Sequence, residues 1–377
     1  MSVSLKELLD RVRAAVSLTS DDAGVRIRSA YEVSGGPGAK VFPPTYAFDQ
    51  RDSSHKYVIE TRYDSEGEER TSVLLDAIQS QANRCELALL DAADDGVLWV
   101  PYLETSGEIE VPDSADRVAV RITSLEAPHR GPDAYFRDSE DADGTAFDDT
   151  VVGKALGAAD QRHARAFFEH VPTDLIFGFW DSQRGGRGIK LPRAYTSEVF
   201  GWDPIVGDRG AGRMDPMNIT KTRIAYPDKK PGEFVVLGDG PTPKGMKEKK
   251  PSEAGHGNIP PSHVNPGVSV TSIERSAFLS ATALARLRFA SAEQESTPEH
   301  DLAGRSALFC LGLAADRLAF NRAAVYLRSG CELLTVSSDL RWVGRGGDGD
   351  AFELSTADAV ELAGLAVRAA ADAGLEM

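Results

Sequence analysis

Four cations recur at every third position in the segment WDSQRGGRGIKLPRA, residues 180 to 194: Arg184, Arg187, Lys190 and Arg193, interrupted by Gly185, Gly186 and Gly188. Glycine lets a backbone come close to a ligand and exposes N–H donors, and a guanidinium can take two phosphate oxygens at once. That combination suits a sugar-phosphate chain. Trp180, just ahead of the run, could stack a base or could be core at a strand end. The same cations would also serve a solvated loop with surface ion pairs. A second segment, SQANR at 80 to 84, sets Gln81, Asn83 and Arg84 inside an apolar helical pattern, as ligand contacts or as a buried hydrogen-bonded helix start. KGMKEKK at 244 to 250 reads as a flexible basic finger or a disordered loop.

Residue spacing for bond-breaking chemistry is poor. The seven histidines form neither HExxH nor HxH; His163 and His170 are seven apart, as are His256 and His263, and GxSxG is absent. Asp181 beside the basic run could act as a base or bind a metal, although an acid among cations more often orients them. Cys85, Cys310 and Cys331 are far apart with no CxxC, so neither a disulfide framework nor a zinc site is indicated, and buried free thiols are expected. The reading is a chain with no catalytic residue, no metal and no cofactor.

These residues need a scaffold. The 377-residue chain is long enough for one elaborated domain or two ordinary ones. Its apolar and charged fractions are those of a globular protein. With no apolar run near the roughly 20 residues of a membrane span and no signal-peptide pattern at its start, a cytoplasmic location is expected. The net charge of −16 opposes nucleic-acid binding, so distribution decides: acids dominate from Glu104 to Asp149, whereas Arg184 to Arg193 holds four basic residues and no acid. Period predicts a first helix over 4–18, a helix through Leu74, Leu75, Ile78, Ala82, Leu87 and Leu90, and further helices over 153–170, 303–327 and 355–374. Alternation predicts strands in VRIRSAYEV, 56–62, 97–103, 117–125, VSVTSIERSAFLS and 331–336. The apolar run TDLIFGFW at 173–180 reads as a buried strand, 126–150 as surface loop, and PTPKGMKEKKPSEAGHGNIPP as a long irregular excursion.

Five segments together resemble one family: GGPGAKVFPPTY (35–46), VLLDAIQSQANRCE (73–86), SLEAPHRGPDAYFRDS (124–139), IFGFWDSQRGGRGIKLPRAYTSEVFGWD (176–203) and KPSEAGHGNIPP (250–261). They are similar, in order, to the RAMP-type backbone subunit (the Cas-seven type) of the type I-U, or type I-G, CRISPR surveillance complex, a Cascade-like effector complex of antiviral defence. The resemblance implies an α+β fold, an RRM-like (ferredoxin-like) βαββαβ palm within a single elaborated domain over 1–377. The acidic 104–149 and Gly/Pro/Lys-rich 204–266 stretches would be insertions forming thumb or finger elements. It implies a non-enzymatic subunit that polymerises head to tail along guide crRNA, grips its sugar-phosphate backbone and presents the bases to target DNA beside other CRISPR effector subunits. Carried over by motif, Arg84, Arg184, Arg187, Lys190 and Arg193 are RNA-binding candidates, with Lys40, Gln81, Asn83, His129 and Arg130 as further candidates. Two other readings stay open: a RAMP ribonuclease that processes guide RNA or cleaves target RNA through Asp181 or His129, and a structural oligomer without nucleic acid.

Overall fold

The computed structural model describes residues 4–46, 56–110, 116–182, 188–207, 210–216, 222–227, 233–254, 256–263, 266–291 and 294–377. Four long helices, α1 (Leu5–Ala15), α2 (Ile78–Asp94), α3 (Pro298–Phe320) and α4 (Thr356–Asp372), accompany one large antiparallel sheet. Its strands are β1 (Asp22–Val33), β2 (Ile59–Tyr63), β3 (Glu69–Asp76), β4 (Tyr195–Trp202), β5 (Ile273–Ser280), β6 (Ala324–Arg328), β7 (Cys331–Gly344) and β8 (Gly347–Phe352). The order across the sheet is β6-β7-β1-β5-β4-β3-β2, with β8 on β7. The chain is thus α+β.

The connectivity of the middle four strands follows from the order. β1 leads through α2 to β4, and β5 leads through α3 to β7; each pair is parallel, with a strand of the other pair antiparallel between them. Two interleaved βαβ units of this kind make a βαββαβ plan. The β2–β3 hairpin is inserted before α2 and extends one edge, and β6 extends the other.

Alternation decides which face is covered. Val25, Ile27, Ser29 and Tyr31 of β1, and Ile273, Arg275, Ala277 and Leu279 of β5, point to one side and are buried. The helices lie on that side: α3 packs against α1, α2, α4 and β5. Buried from all directions, α3 carries apolar residues around most of its circumference. Its close approach needs Gly304, where a Cβ would stand 2.6 Å from the Phe289 ring.

Inside this layer sits an ionic network. Fully buried Arg275 pairs with Asp316 of α3, reaches Tyr195 Oη at 2.5 Å, and lies 3.9 Å over the Phe320 ring. Burial pushes the Asp316 carboxyl up, but Arg275 and then Arg317 hold it well below the usual carboxylate range. Fully buried Asp76 at the end of β3 receives Ser80 (2.8 Å), Gln81 (2.5 Å), Arg84 (2.8 Å) and Arg328 (3.1 Å). Gln81 joins the two groups, because its Oε1 accepts from Ser197 Oγ at 2.8 Å and Arg275 Nε at 3.1 Å. Removing one member of such a set strands a charge away from water.

The opposite face is occupied differently. Phe200 and Trp202 of β4 carry the guanidiniums of Arg62 (4.5 Å) and Arg70 (4.8 Å) on their rings. Arg62 is bound to Glu198 at 2.6 Å, Arg70 to Asp203 at 2.6 Å, and Trp202 Nε1 donates to Glu274 at 2.9 Å.

Several expectations shift. The helix read from Leu74 begins at Ile78, because Val73 and Leu75 belong to β3. Residues 173–180 are chiefly a helix, Pro172–Phe177, followed by the strand Phe179–Asp181. The helix read over 153–170 is two, Val151–Ala158 and Arg165–His170. The long C-terminal helix stops at Phe320, and β6 replaces its expected end. Part of the expected irregular excursion is ordered: Met246–Lys249 pairs with Arg223–Pro227, which also pairs with Val235–Leu237. The acidic stretch contains an exposed hairpin, Glu104–Glu110 with Arg117–Thr123. None of the described helices is long and apolar enough to cross a membrane.

Candidate nucleic-acid interface

The arginine- and glycine-rich run joins two short strands, Phe179–Asp181 and Ile189–Leu191, paired with Phe179 opposite Leu191, Trp180 opposite Lys190 and Asp181 opposite Ile189. Strand alternation then sorts the side chains. Phe179 and Leu191 are buried, Phe179 with its ring 5.1 Å from that of Phe167, while Trp180 and Lys190 are exposed, Trp180 by 67%. A cross-strand pair of an indole and an ammonium therefore faces outward from an anchored ribbon. Arg184 and Arg187 lie outside the described residues.

The root of this hairpin is fixed by polar groups with little access to water. The helix Pro172–Phe177 ends at Gly178, whose φ of +72° and ψ of 159° suit glycine. A Cβ there would stand 2.7 Å from Leu191 O and 2.9 Å from Arg193 N. Arg130 Nη1 donates to Gly178 O at 3.0 Å, and the same guanidinium grips Glu86 of α2 at 2.5 and 2.9 Å. Arg130 is 7% exposed, and its own backbone lies at φ 60°, a left-handed position that the buried pair holds in place. Burial pulls the Arg130 guanidinium down and the Glu86 charge reverses this, so it stays above its ordinary range. Burial pushes the Glu86 carboxyl up, opposed by Arg130 and then by Arg193.

Two further groups complete the root. Asp174 is fully buried; its Oδ2 accepts the Gly131 N–H at 3.2 Å, and its Oδ1 has no hydrogen-bond partner among the described residues. Burial raises that carboxyl well above the usual range, with Arg130 opposing and Glu86 adding to the effect. Arg193 is half-buried with Nε unpartnered among the described residues, and burial followed by the like charge of Arg130 lowers it. A half-buried cation with no ion pair among the described residues is suited to receive an anion.

The structure thus brings Lys190, Arg193 and Arg130 to one hairpin, with Trp180. Of these, Arg130 is 7% exposed and gives three of its five N–H groups to Glu86 and Gly178, so it braces the ribbon from within. Gln81 is fully buried, with Asp76, Ser197 and Arg275 as partners. Arg84 is partly exposed, but it is tied to Asp76 and to the carbonyls of Tyr326 (3.2 Å) and Leu327 (2.7 Å). Asn83, on the same helix, is exposed. His129 is exposed beside Arg130, its N–H donating to Asp133 Oδ2 at 2.9 Å. Lys40 is exposed elsewhere, with Nζ 3.4 Å from Pro266 O.

Glu86, Asp174 and Gly178 were not singled out from the sequence. An acid interrupting the apolar pattern of α2 was the available signal for Glu86; nothing local marks Asp174. Among the described residues no group of three or more His, Cys, Asp or Glu side chains could hold a metal ion. The three cysteines are buried and unpaired. Burial pushes their thiols up, that of Cys331 to about 11.

No curated protein matches the chain. Residues 25–205 match the family described as CRISPR-associated protein GSU0053. That span runs from β1 through β4 and includes α2, the Arg130 loop and the whole hairpin. Over it, a little under half its length, the chain is similar to a CRISPR-associated family.

Proposed function

We propose that this chain is a non-catalytic backbone subunit of a type I-U (I-G) CRISPR effector complex that grips guide crRNA by its sugar-phosphate backbone. The observation that carries the reading is the hairpin at 179–191: an outward Trp180–Lys190 pair on a root braced by Arg130, Glu86 and Gly178, with Arg184 and Arg187 in the sequence joining its strands. A guide must be held while its bases remain free, because pairing with the target supplies sequence specificity in RNA-guided recognition. A rigid ribbon bearing cations and one stacking surface does this without reading base edges. Copies arranged head to tail along the guide would need an interface that stays open and does not close into a ring.

The test replaces Arg184, Arg187 and Lys190 together by alanine in the full chain. The fold stays intact, RNA retention is lost, and the slope of log affinity against log salt falls by about 0.7 for each phosphate contact removed. Wild-type affinity and slope in the triple variant would reject the assignment. Guides of equal length with scrambled spacers bind alike; a tenfold preference, about 1.4 kcal/mol, would reveal base readout instead.

A further inference from the structure

Where α3 begins, the surface carries an open cleft of about 510 Å³. Its walls come from Ser17–Thr19 after α1, from Arg162 and His163, from Arg288 and Ala290, and from residues 295–305. Three guanidiniums line it: Arg162, Arg288 and Arg305. Arg305 rises from the interior of α3 with its side chain 3% exposed, its Nε and Nη2 donating to Leu287 O at 3.1 and 2.6 Å. Asp301 serves Arg288 at 2.9 Å and Arg305 at 3.5 Å, and its other oxygen accepts the Phe289 N–H at 2.9 Å. One carboxylate is therefore divided between two guanidiniums. Burial pulls Arg305 down to about 10, Asp301 opposing and Arg288 adding to the effect. The Arg162 side chain makes no hydrogen bond or ion pair with any described residue.

The remaining wall groups define the ligand. Glu295 is the second carboxylate on the wall, so three guanidiniums face two carboxylates, and His163 is satisfied by Asp160 at 3.0 Å. The positive end of the 23-residue α3 helix adds to the excess. Leu18, Ala290, Pro298 and Leu302 form an apolar side, and Leu18 is 64% exposed on the wall of the cleft. The volume lies within the range of small-molecule sites. We propose that this cleft binds a phosphate-bearing ligand of mononucleotide size, its phosphate on Arg162 and Arg288 and its ring against Leu18, Pro298 and Leu302. This site is separate in sequence and lining from the hairpin.

The experiment is calorimetric titration of the full chain, freed of RNA, with AMP, adenosine and inorganic phosphate in parallel. AMP binds saturably and at least about tenfold tighter than either fragment. Arg162→Ala, a surface change that leaves the melting temperature unaltered, weakens AMP by about tenfold, and Arg288→Gln does the same if it folds. The Arg184, Arg187, Lys190 triple alanine variant binds AMP as the wild type does. AMP no tighter than adenosine or phosphate, an unaffected Arg162→Ala, or loss of AMP in the hairpin variant would each overturn the proposal.

Discussion

Arg130→Ala removes three hydrogen bonds at once, two to Glu86 and one to Gly178 O, and leaves the Glu86 carboxylate, 2% exposed in the intact pair, with half-buried Arg193 as the other cation acting on it. Breaking a buried pair from one side costs about 3–5 kcal/mol, and the residual field of Arg193 places this case near the lower end. Denaturant unfolding at pH 7 reads the loss directly. The stranded carboxyl also gives a pH signature. Its folded pKa, already raised by burial and further raised without Arg130, lies above the unfolded value of about 4.3. Its contribution is therefore fully present below that value and lost as pH rises, so the deficit is small near pH 4 and large at pH 7. Adding Glu86→Gln removes the lone charge and recovers at least about 1 kcal/mol at pH 7. A deficit below about 1 kcal/mol, or a double variant as unstable as the single, would refute the view of this pair as the brace of the hairpin.

Gly178→Ala forces a Cβ against Leu191 O and Arg193 N and destabilises the chain by about 2 kcal/mol or more, with RNA retention lost alongside; wild-type melting would contradict the close approach. Trp180→Ala leaves stability unchanged, since the indole is exposed, and weakens RNA binding by about 1–3 kcal/mol, as measured by filter binding; an unaltered affinity would remove stacking from the assignment. Asp174 has a folded pKa raised by burial, so its favourable contribution is present below about pH 4 and lost as pH rises. Asp174→Asn, which does not titrate, gains stability relative to wild type as pH climbs from 4 to about 8, and parallel stability curves would count against a raised carboxyl.

Much of the scaffold was legible because its signals are local. The alternation of Val25, Ile27 and Tyr31 marks β1, and Leu8 and Val12 mark the buried side of α1. The run TDLIFGFW misled because an apolar stretch buried on all sides has no period to read, and Pro172 at the first helical turn was the overlooked cue. At the hairpin, glycine spacing and cations were visible, whereas the brace was not. Arg130 meets Glu86 44 residues away, and Gln81 meets Ser197 and Arg275 at separations of 116 and 194. An isolated polar residue in an apolar pattern looks the same whether it awaits a ligand or a distant partner in the core.

The arginines resting on Phe200 and Trp202 bear on where a nucleic acid can run. A base stacking on either ring must first lift off Arg62 or Arg70, and with it a carboxylate contact to Glu198 or Asp203. It would exchange one ring contact of order 1 kcal/mol for another of similar size and leave an ion pair to be rebuilt. These two rings of the sheet are in this sense already occupied by the protein's own cations. A strand passing over these two rings meets little incentive to settle there, whereas Trp180, 67% exposed on a ribbon beyond the sheet, offers an indole that no cation covers in the described residues.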